Sequence, residues 1–346
     1  MSLTAAIRSR DVSALPSRRD EGWRWSELAS VVRSAPPLAG TITVAPGGGP
    51  FAEVKADEER VFANGQGDAS PLVVEAGRTV KLRFVTRADA AASLSAVSIL
   101  VKAGGSLTLL ESYEGEGEAY VADAALDIRL EDGARMERIV VAEDAETAVS
   151  VSTAQVTLAP GADYAQAVFA TGARRQRIET RIQHPGAGAA LRMDGVYLVG
   201  QRRHADLTTA VVHAGVDGTT SQMIKGVAAG HGRGVFQGLI RVEHGADRTD
   251  ARMRHDALLL SDTAEVDAKP ELEIFADDVS CAHGNTVGAL DDAALFYARQ
   301  RGLPLHEARV LLTEAFVGAV VERIAHPGAR EVVAALVPRR LEGLTC

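Results

Sequence analysis

The stretch Leu126-Asp127-Ile128-Arg129-Leu130-Glu131-Asp132-Gly133-Ala134 alternates apolar and charged residues and then ends in a glycine turn. Alternation with a period of two predicts a β-strand that buries one face and exposes the other to solvent. The same alternation recurs at 80–84, 149–152 and 271–274. The chain is therefore predicted to be rich in strands from about residue 70 to residue 288.

The pattern also assigns the two faces of these strands. Apolar residues are expected to face the core and the polar residues between them to face solvent. The buried set is expected to include Val80, Leu82, Val149 and Val151, and the solvated set Lys81, Arg83, Ser150 and Ser152.

Turn glycines separate the strands at intervals of 25 to 30 residues, at Gly104, Gly133, Gly161, Gly186, Gly215 and Gly245. Several of them are followed by alanine, as in Pro160-Gly161-Ala162 and His244-Gly245-Ala246. A turn that repeats at this period, with strands between, is typical of a solenoid. The pattern favours a β-helix over its main rival, a large antiparallel sandwich.

Helical periodicity frames the strand-rich body, which gives three predicted zones: a short N-terminal helical segment at 1–40, a β-helix core at 41–288 and a C-terminal helical domain at 289–346. In the first zone, short helices are expected around 15–20, before Pro36-Pro37.

Three helices are expected in the C-terminal domain. Asp291 or Asp292 is predicted to cap the first, which should stop near Gly302, and Pro304 to begin the second. A last helix is expected at 331–341. The apolar stripe of the second helix is predicted to consist of Leu305, Ala308, Leu312, Ala315, Ala319 and Ile324.

Composition and missing motifs exclude several classes of function. The net charge of −9 argues against nucleic acid or an anionic membrane as the main partner. The sequence has no phosphate-binding loop, nucleophile elbow, H-E-x-x-H or C-x-x-C motif. The N-terminus lacks the apolar core of a secretory signal, and the apolar stretch at 91–110 is interrupted by Lys102 and two glycines. A soluble cytoplasmic protein that is not an enzyme is expected.

Two cysteines, Cys281 and Cys346, are too few for a disulfide framework or for the four ligands that an iron–sulfur cluster usually takes. Six histidines in the second half of the strand-rich body could stack into a metal site in a coiled fold. No two of them have a short ligand spacing, so scattered turn and surface positions are favoured for His204, His213, His231, His244, His255 and His283. The glycine-rich run at 230–238 is interpreted as tight turns.

Cys281 and His283 differ from the other candidates because they are two residues apart. In an extended strand they would project from one face together with Val279. A thiol beside an imidazole suits iron or zinc, and a protonated imidazole could lower the pKa of the thiol. The alternative is a buried cysteine that follows Val279 into the core, with His283 in a turn before Gly284.

The residues around this pair resemble the SufB/SufD family. The match includes Asp277-Asp278-Val279-Ser280-Cys281-Ala282-His283-Gly284 and Glu265-Val266-Asp267-Ala268-Lys269-Pro270, and these two segments are closest to the SufD branch. The similarity is dense from about 220 to 320 and patchy before it. These two segments lie within longer matches at 258–274 and 276–288, and further matching segments lie at 15–24, 225–226, 233–238, 249–251, 291–297 and 301–303.

The resemblance implies a right-handed parallel β-helix that serves as a scaffold for iron–sulfur cluster assembly. It also implies pairing with SufB through the C-terminal end of the β-helix and binding of the ATPase SufC through about Asp291–Val337. His283, with Cys281 beside it, corresponds to the family's interface site and is a possible metal ligand shared with the partner. The chain itself would hold no permanent cofactor, because the nascent cluster would be transient and shared with SufB.

Two departures from the family pattern are visible. Relatives often have a longer N-terminal helical region, so contacts made through that region do not carry over. Asn285 stands where many relatives have alanine.

Two other functions remain as alternatives. One is a homodimer of this chain with SufC that acts as a storage or off-pathway form. The other is a β-helix enzyme acting on polysaccharide, which would need converging carboxylates such as Glu265, Asp267, Glu271 and Glu273. Strand alternation places most of these carboxylates on a solvated face.

Overall fold

The computed structural model describes residues 2–345, and its body is a parallel β-solenoid. The described residues contain seventeen strands: β1 Glu58–Ala63, β2 Leu72–Val74, β3 Gly77–Arg87, β4 Ala92–Val101, β5 Ser106–Glu116, β6 Val121–Leu130, β7 Arg135–Glu143, β8 Val149–Leu158, β9 Asp163–Ala170, β10 Arg175–His184, β11 Ala190–Val199, β12 His204–His213, β13 Thr219–Ala228, β14 Arg233–Val242, β15 Asp250–Leu259, β16 Glu265–Ile274 and β17 Ser280–Gly288.

The strands alternate between two sheets. All odd-numbered strands form one sheet in sequence order, and all even-numbered strands form the other. Neighbours in each sheet are parallel, as in the register that pairs His204 of β12 with Arg233 of β14. Each coil therefore contributes one strand to each sheet, which confirms the solenoid, and the antiparallel sandwich is wrong.

The glycine turns stack along the solenoid as the repeat predicts. Gly133 and Gly161 have φ values of 64° and 66°, in the left-handed region where a Cβ is unfavourable. The Gly133 N–H donates to the carbonyl of Pro160 in the next coil at 3.0 Å. The prediction of tight turns at 230–238 is correct only at 230–232, because β14 begins at Arg233.

The predicted faces are wrong at two strands, because the outer faces of the sheets are also covered. Val149 and Val151 pack against the N-terminal segment, whereas Ser152 faces the lumen and hydrogen-bonds to Tyr113. Lys81 and Arg83 are buried rather than solvated. The Lys81 ammonium donates to the carbonyl of Ala52 at 2.9 Å.

The N-terminal segment covers part of the even-numbered sheet. Its helix α1 is Leu3–Ser9, followed by a 3₁₀ turn at Glu21–Trp23, and residues 15–20 form turns rather than the predicted helix. The hydroxyl and the backbone N–H of Ser17 both donate to the Asp20 carboxylate, which favours a turn. The guanidinium of Arg177 lies 4.1 Å from the centre of the Trp23 ring.

Three helices follow the last strand: α2 Asp292–Gln300, α3 Leu305–Val321 and α4 Pro327–Thr345. Asp291 caps α2 through backbone N–H bonds, and Pro304 precedes α3, as predicted. No helix among residues 2–345 is long and apolar enough to span a membrane.

The predicted stripe of α3 is only partly correct. Ala308 is buried and Ile324 just beyond the helix is also buried, but Leu305, Ala315 and Ala319 are exposed. The buried face of α3 instead contains Thr313, Val317, Val320 and Val321. The buried face differs from the prediction because α3 packs both against strands of the odd-numbered sheet and against α4, and these two contacts together decide which residues are buried.

An ion pair and a cap fix these helices to the odd-numbered sheet. The Arg323 guanidinium donates to the buried carboxylate of Asp194 on β11 at 2.9 Å. The Glu137 carboxylate accepts the N–H groups of Ala325 and His326 at the start of α4, at 2.6 and 2.9 Å. Leucine and valine side chains of α4, including Val333 and Leu341, are buried in the same contact.

The Asp194 carboxylate is expected to make the stability of the protein depend on pH. Burial raises the pKa of Asp194 to about 6 despite two neighbouring arginines, and one of its oxygens has no hydrogen bond to any described residue. A folded-state pKa above the unfolded value means that stability is lost as the pH rises through 6. Relative to Asp194→Asn, the wild-type protein should lose about 1–2 kcal/mol of unfolding free energy between pH 5 and pH 7.5. Urea titrations of both proteins measure this, and a wild-type gain over that range would contradict it.

Candidate functional site

The C-terminal end of the solenoid is open. Strands β16 and β17, here called the terminal coil, are the last strands of the two sheets, and each has one free edge. Ile274 and Val287 face the lumen and stack on Val242 and Ala257 of the coil below. They are 41% and 40% exposed, whereas Val242 and Ala257 are 0% and 2% exposed. The lumen-facing side chains of the terminal coil therefore form a layer of the hydrophobic core that the described residues leave exposed to solvent.

The opposite end of the solenoid is closed by the chain itself. Its first strands β1 and β2 are also edge strands, yet Phe62, Leu72 and Val74 on them are buried. A monomeric protein rarely leaves core-facing apolar residues exposed on free strand edges. Core-facing apolar residues are thus exposed at the C-terminal end of the solenoid and buried at the N-terminal end. This difference in exposure indicates that the terminal coil is an interaction surface.

Cys281 and His283 both lie in β17, so the sequence-based placement of this pair in one strand is confirmed. Cys281 stacks on Ala251 and His283 on Met253, and both partners in β15 are buried in the lumen. Cys281 is half-buried against the core, and His283 is exposed at the open end. The two side chains therefore face the same side of the terminal coil, where the next coil would lie.

The environment of Cys281 keeps its thiol protonated in the isolated chain. Burial raises the pKa of Cys281, and the nearby Asp250 carboxylate adds to this effect. The prediction that a neighbouring imidazole could lower the pKa of the Cys281 thiol is therefore wrong for the isolated chain. Cys346, the other cysteine, lies outside the described residues.

Asn285 continues the same face two residues beyond His283, and sequence analysis missed its role. Its side-chain oxygen lies 2.6 Å from Nδ1 of His255, which stacks beneath it in β15. Nε2 of His255 lies 3.0 Å from the Tyr197 hydroxyl. A line of hydrogen bonds thus joins the terminal coil to the core.

The remaining histidines do not converge on one site, but the predicted turn and surface positions are wrong for His204, His213 and His255, which are buried in strands. His204 is buried beneath the N-terminal segment, where burial lowers its pKa to about 3. His213 stacks on His184 with ring centres 4.3 Å apart, and His231 and His244 lie in turns. Among residues 2–345, no three His, Cys, Asp or Glu side chains are grouped so that they could hold a metal ion. Within this described range, His283 and Cys281 therefore do not belong to a group large enough to hold a metal ion.

The lumen also holds a buried ion pair that no local sequence signal indicates. The Arg138 guanidinium donates two hydrogen bonds of 2.7 Å to the Glu111 carboxylate, and both side chains are 0% exposed. The Tyr113 hydroxyl donates to the same carboxylate at 2.6 Å, and Gln166 accepts from Arg138 at 3.0 Å. Because the pair is enclosed at mid-solenoid, its role is structural.

The carboxylates on the outer face of β16 are neutralised by neighbouring cations. Asp267 accepts from Arg233 at 2.7 Å, Glu271 pairs with Lys269 at 2.9 Å, and Glu273 pairs with Arg241 at 3.5 Å. Carboxylates that serve as general acid and base act in pairs around a substrate. The ion pairs along β16 are those of a solvated outer face.

A second exposed apolar surface lies on the C-terminal helices. Phe296 and Tyr297 of α2 are 63% and 60% exposed, and Leu305 and Leu311 of α3 are also exposed. The Arg301 guanidinium donates to the Tyr297 hydroxyl at 2.7 Å and so holds the ring in place. We call these four residues the helical patch.

Comparison with known proteins gives a consistent assignment. Residues 84–316 match the family model described as SUF system FeS cluster assembly, SufBD core domain. The iron–sulfur cluster assembly protein SufD of Escherichia coli is 31% identical over 241 residues, which cover 69% of this chain and 57% of that protein. SufD of Bacillus subtilis is 30% identical over 156 residues, which cover 43% of this chain and 36% of that protein.

A relative of similar length extends the match over nearly the whole chain. A SufBD family protein of Mycobacterium tuberculosis is 25% identical over 363 aligned positions, which cover 96% of this chain and 91% of that protein. The family match begins within β3 and ends within α3, and it includes the whole terminal coil. The chain therefore belongs to the SufB/SufD family of iron–sulfur cluster assembly proteins, on its SufD branch.

Proposed function

We propose that this chain is a non-catalytic scaffold subunit that pairs with SufB through the terminal coil, so that a nascent iron–sulfur cluster forms at the interface. The observation that carries the proposal is the uncovered end of the solenoid. A second chain placed there would bury Ile274 and Val287 and supply partners for both free strand edges.

The free edge of β17 is suited to pairing with another strand. The Ser280 N–H donates to the Thr249 carbonyl, and a parallel strand bonds each neighbour through alternate residues. The N–H groups of Cys281, His283, Asn285 and Val287 are therefore directed to the free side. Pro270 on the edge of β16 is compatible with this position, because an edge strand tolerates a residue without an N–H.

The cluster is the cargo of such a complex. Cys281 and His283 supply one sulfur and one nitrogen on the same face, which is half of the usual ligand number. SufB would supply the other half. His283 is the more accessible of the two residues, and Cys281 would need the interface to form before its thiol could lose a proton.

We assign SufC binding to the helical patch. Val333 and Val337 of α4 are buried against the solenoid, and the exposed large apolar residues described in the C-terminal region lie on α2 and the first half of α3. Exposed aromatic residues are typical of a protein-binding surface. ATP hydrolysis is assigned to SufC because this sequence has no phosphate loop, and ATPase activity of the purified chain alone would contradict that.

The double variant Phe296→Asp, Tyr297→Asp is expected to weaken SufC binding by at least about 30-fold, because two aromatic contacts are lost and two charges are desolvated. Titration calorimetry with purified SufC measures the change. Binding of SufB and the melting temperature should stay the same, because both side chains are exposed. Unchanged SufC affinity would place the SufC site elsewhere.

The two alternative functions lead to different experimental expectations. A homodimer would use the same terminal coil, and light scattering of the chain with and without SufB distinguishes it from the heteromeric complex. A polysaccharide-active enzyme would need unpaired carboxylates on β16, and those carboxylates are ion-paired with Arg233, Lys269 and Arg241.

The direct test is His283→Ala in cells that co-express SufB and SufC. We expect the three-protein complex to form, because one exposed side chain contributes little to the interface, and the iron and sulfide bound per complex to fall. Cys281→Ser should have a milder effect, because a half-buried cysteine also serves packing. Wild-type iron and sulfide content in the His283→Ala complex would exclude a role for this residue in assembly.

A further inference from the structure

The hydrogen bonds that run from Tyr197 through His255 to Asn285 have a defined direction. The Tyr197 hydroxyl is fully buried, and His255 Nε2 is its hydrogen-bond partner among the described residues. A buried hydroxyl that donates to nothing is costly, so Tyr197 donates and Nε2 accepts. Burial lowers the pKa of His255, so the ring is neutral and carries one proton, which must lie on Nδ1.

That proton fixes the orientation of the Asn285 side chain. Nδ1–H of His255 requires an acceptor, so the carboxamide oxygen of Asn285 points at His255 over the 2.6 Å contact. The opposite orientation of the amide would place its NH₂ group against an N–H donor. The NH₂ group of Asn285 therefore points away from His255, towards the open end of the solenoid.

Packing holds the imidazole in place. His255 lies between the rings of Phe236 and Tyr197, with centres 5.0 and 5.9 Å away. Two glycines make room for the Tyr197 ring: a Cβ at Gly226 or Gly234 would lie 2.0 or 2.1 Å from its ring atoms. Buried residues of the coils below the terminal coil thus hold His255, the hydrogen-bond partner of Asn285, in a fixed position.

The amide is in register with the candidate site. Cys281, His283 and Asn285 are alternate residues of β17 and face the same side of the terminal coil. Asn285 is exposed, and its NH₂ group makes no hydrogen bond within the described residues.

We propose that Asn285 is a positioning residue that presents a fixed N–H donor to anionic sulfur (a sulfide, a persulfide or a sulfur of the nascent cluster) held between this chain and its partner. The neighbouring thiol and imidazole form a soft nitrogen–sulfur set that favours iron and sulfur over hard oxygen ligands. Hydrogen bonds to cluster sulfurs stabilise the charge on them. This inference rests on the proposed function.

The test compares Asn285→Asp, Asn285→Ala and Tyr197→Phe in the complex co-expressed with SufB and SufC. Asp keeps an acceptor for His255 but has no N–H, Ala removes the amide without adding charge, and Phe removes the donor that fixes the imidazole. The rate of sulfide loss from the purified complex should rise about 3- to 10-fold for the Asp and Ala variants, with a smaller rise for Tyr197→Phe. The rate is measured on purified complex, so it does not depend on how much complex each variant forms.

A second measurement on the isolated chain does not depend on the cluster. Nitrogen-15 NMR of labelled histidine should show the Nδ1–H form of His255 in the wild type and in Asn285→Asp, and a mixture of both forms in Tyr197→Phe. The Nε2–H form in the wild type would overturn the proposal, because the amide would then point the other way.

The outcomes separate the inference from the proposed function. If Asp speeds sulfide loss and Ala does not, charge repulsion is responsible and the donor role is overturned. If neither variant speeds it while His283→Ala lowers bound sulfide, the inference fails and the proposed function stands. If His283→Ala also retains wild-type sulfide, the proposed function fails.

Discussion

Replacing Arg138 with methionine is expected to lower the free energy of unfolding by about 3–5 kcal/mol. Arg138 and Glu111 form a two-bond ion pair in the solenoid lumen, and both are inaccessible to solvent. Without Arg138, the Glu111 carboxylate would remain in the lumen with one hydrogen bond from the Tyr113 hydroxyl but without a counter-charge. It would have to stay charged at a high cost or take up a proton.

The control for this prediction separates the loss of a partner from the loss of a side chain. The double variant Arg138→Met, Glu111→Leu should recover most of the lost stability, because replacing both members of a buried pair with apolar residues is often neutral. Arg129→Met breaks the exposed pair with Asp127 and should change stability by less than about 1 kcal/mol. Urea denaturation of the wild type and the three variants measures their free energies of unfolding. A loss of less than 1 kcal/mol in Arg138→Met would contradict the prediction that the buried ion pair needs both of its members.

The double variant Ile274→Lys, Val287→Lys is expected to weaken SufB binding by at least about 100-fold, because two ammonium groups would be desolvated at the centre of the interface. Both side chains stack on buried residues of the coil below but are themselves 41% and 40% exposed. The monomer should tolerate the change, since a long lysine side chain can reach solvent from the open end.

Val216 provides a matched control for the lysine variants. It is an apolar residue, 37% exposed, in the turn between β12 and β13, away from the terminal coil. Val216→Lys should bind SufB with wild-type affinity in a pull-down or calorimetric titration. If the double variant also binds normally, while its circular dichroism and melting temperature remain those of the wild type, SufB pairs through another surface.

The solenoid could be predicted from the sequence. Which face of each strand points into the lumen could be predicted less well. Turn glycines at 25–30-residue intervals and period-two alternation are local signals, and both survive in the structure. Val149 and Ser150 were assigned to the wrong sides because alternation shows which residues share a face and not which face is the lumen. An N-terminal segment that covers the outer face makes the outward valines buried as well.

The candidate site was predictable only where its residues are close in sequence. The spacing of Cys281 and His283 places them on one face of a strand, and the structure agrees. The contact between Asn285 and His255 joins residues thirty positions apart, and the open end becomes visible only when exposure is compared between coils. Solenoid stacking brings such residues together without leaving a local pattern.

Amide hydrogen exchange of the chain, alone and in complex with SufB, tests the central proposal most directly. In the isolated chain the outward N–H groups of β17 have no strand beside them, so they should exchange faster than those of β15. On binding SufB, we expect strong new protection in β16 and β17 and no change in β1 and β2 at the closed end. Protection confined to β1 and β2 or to the helices, with β17 unchanged, would contradict pairing through the terminal coil.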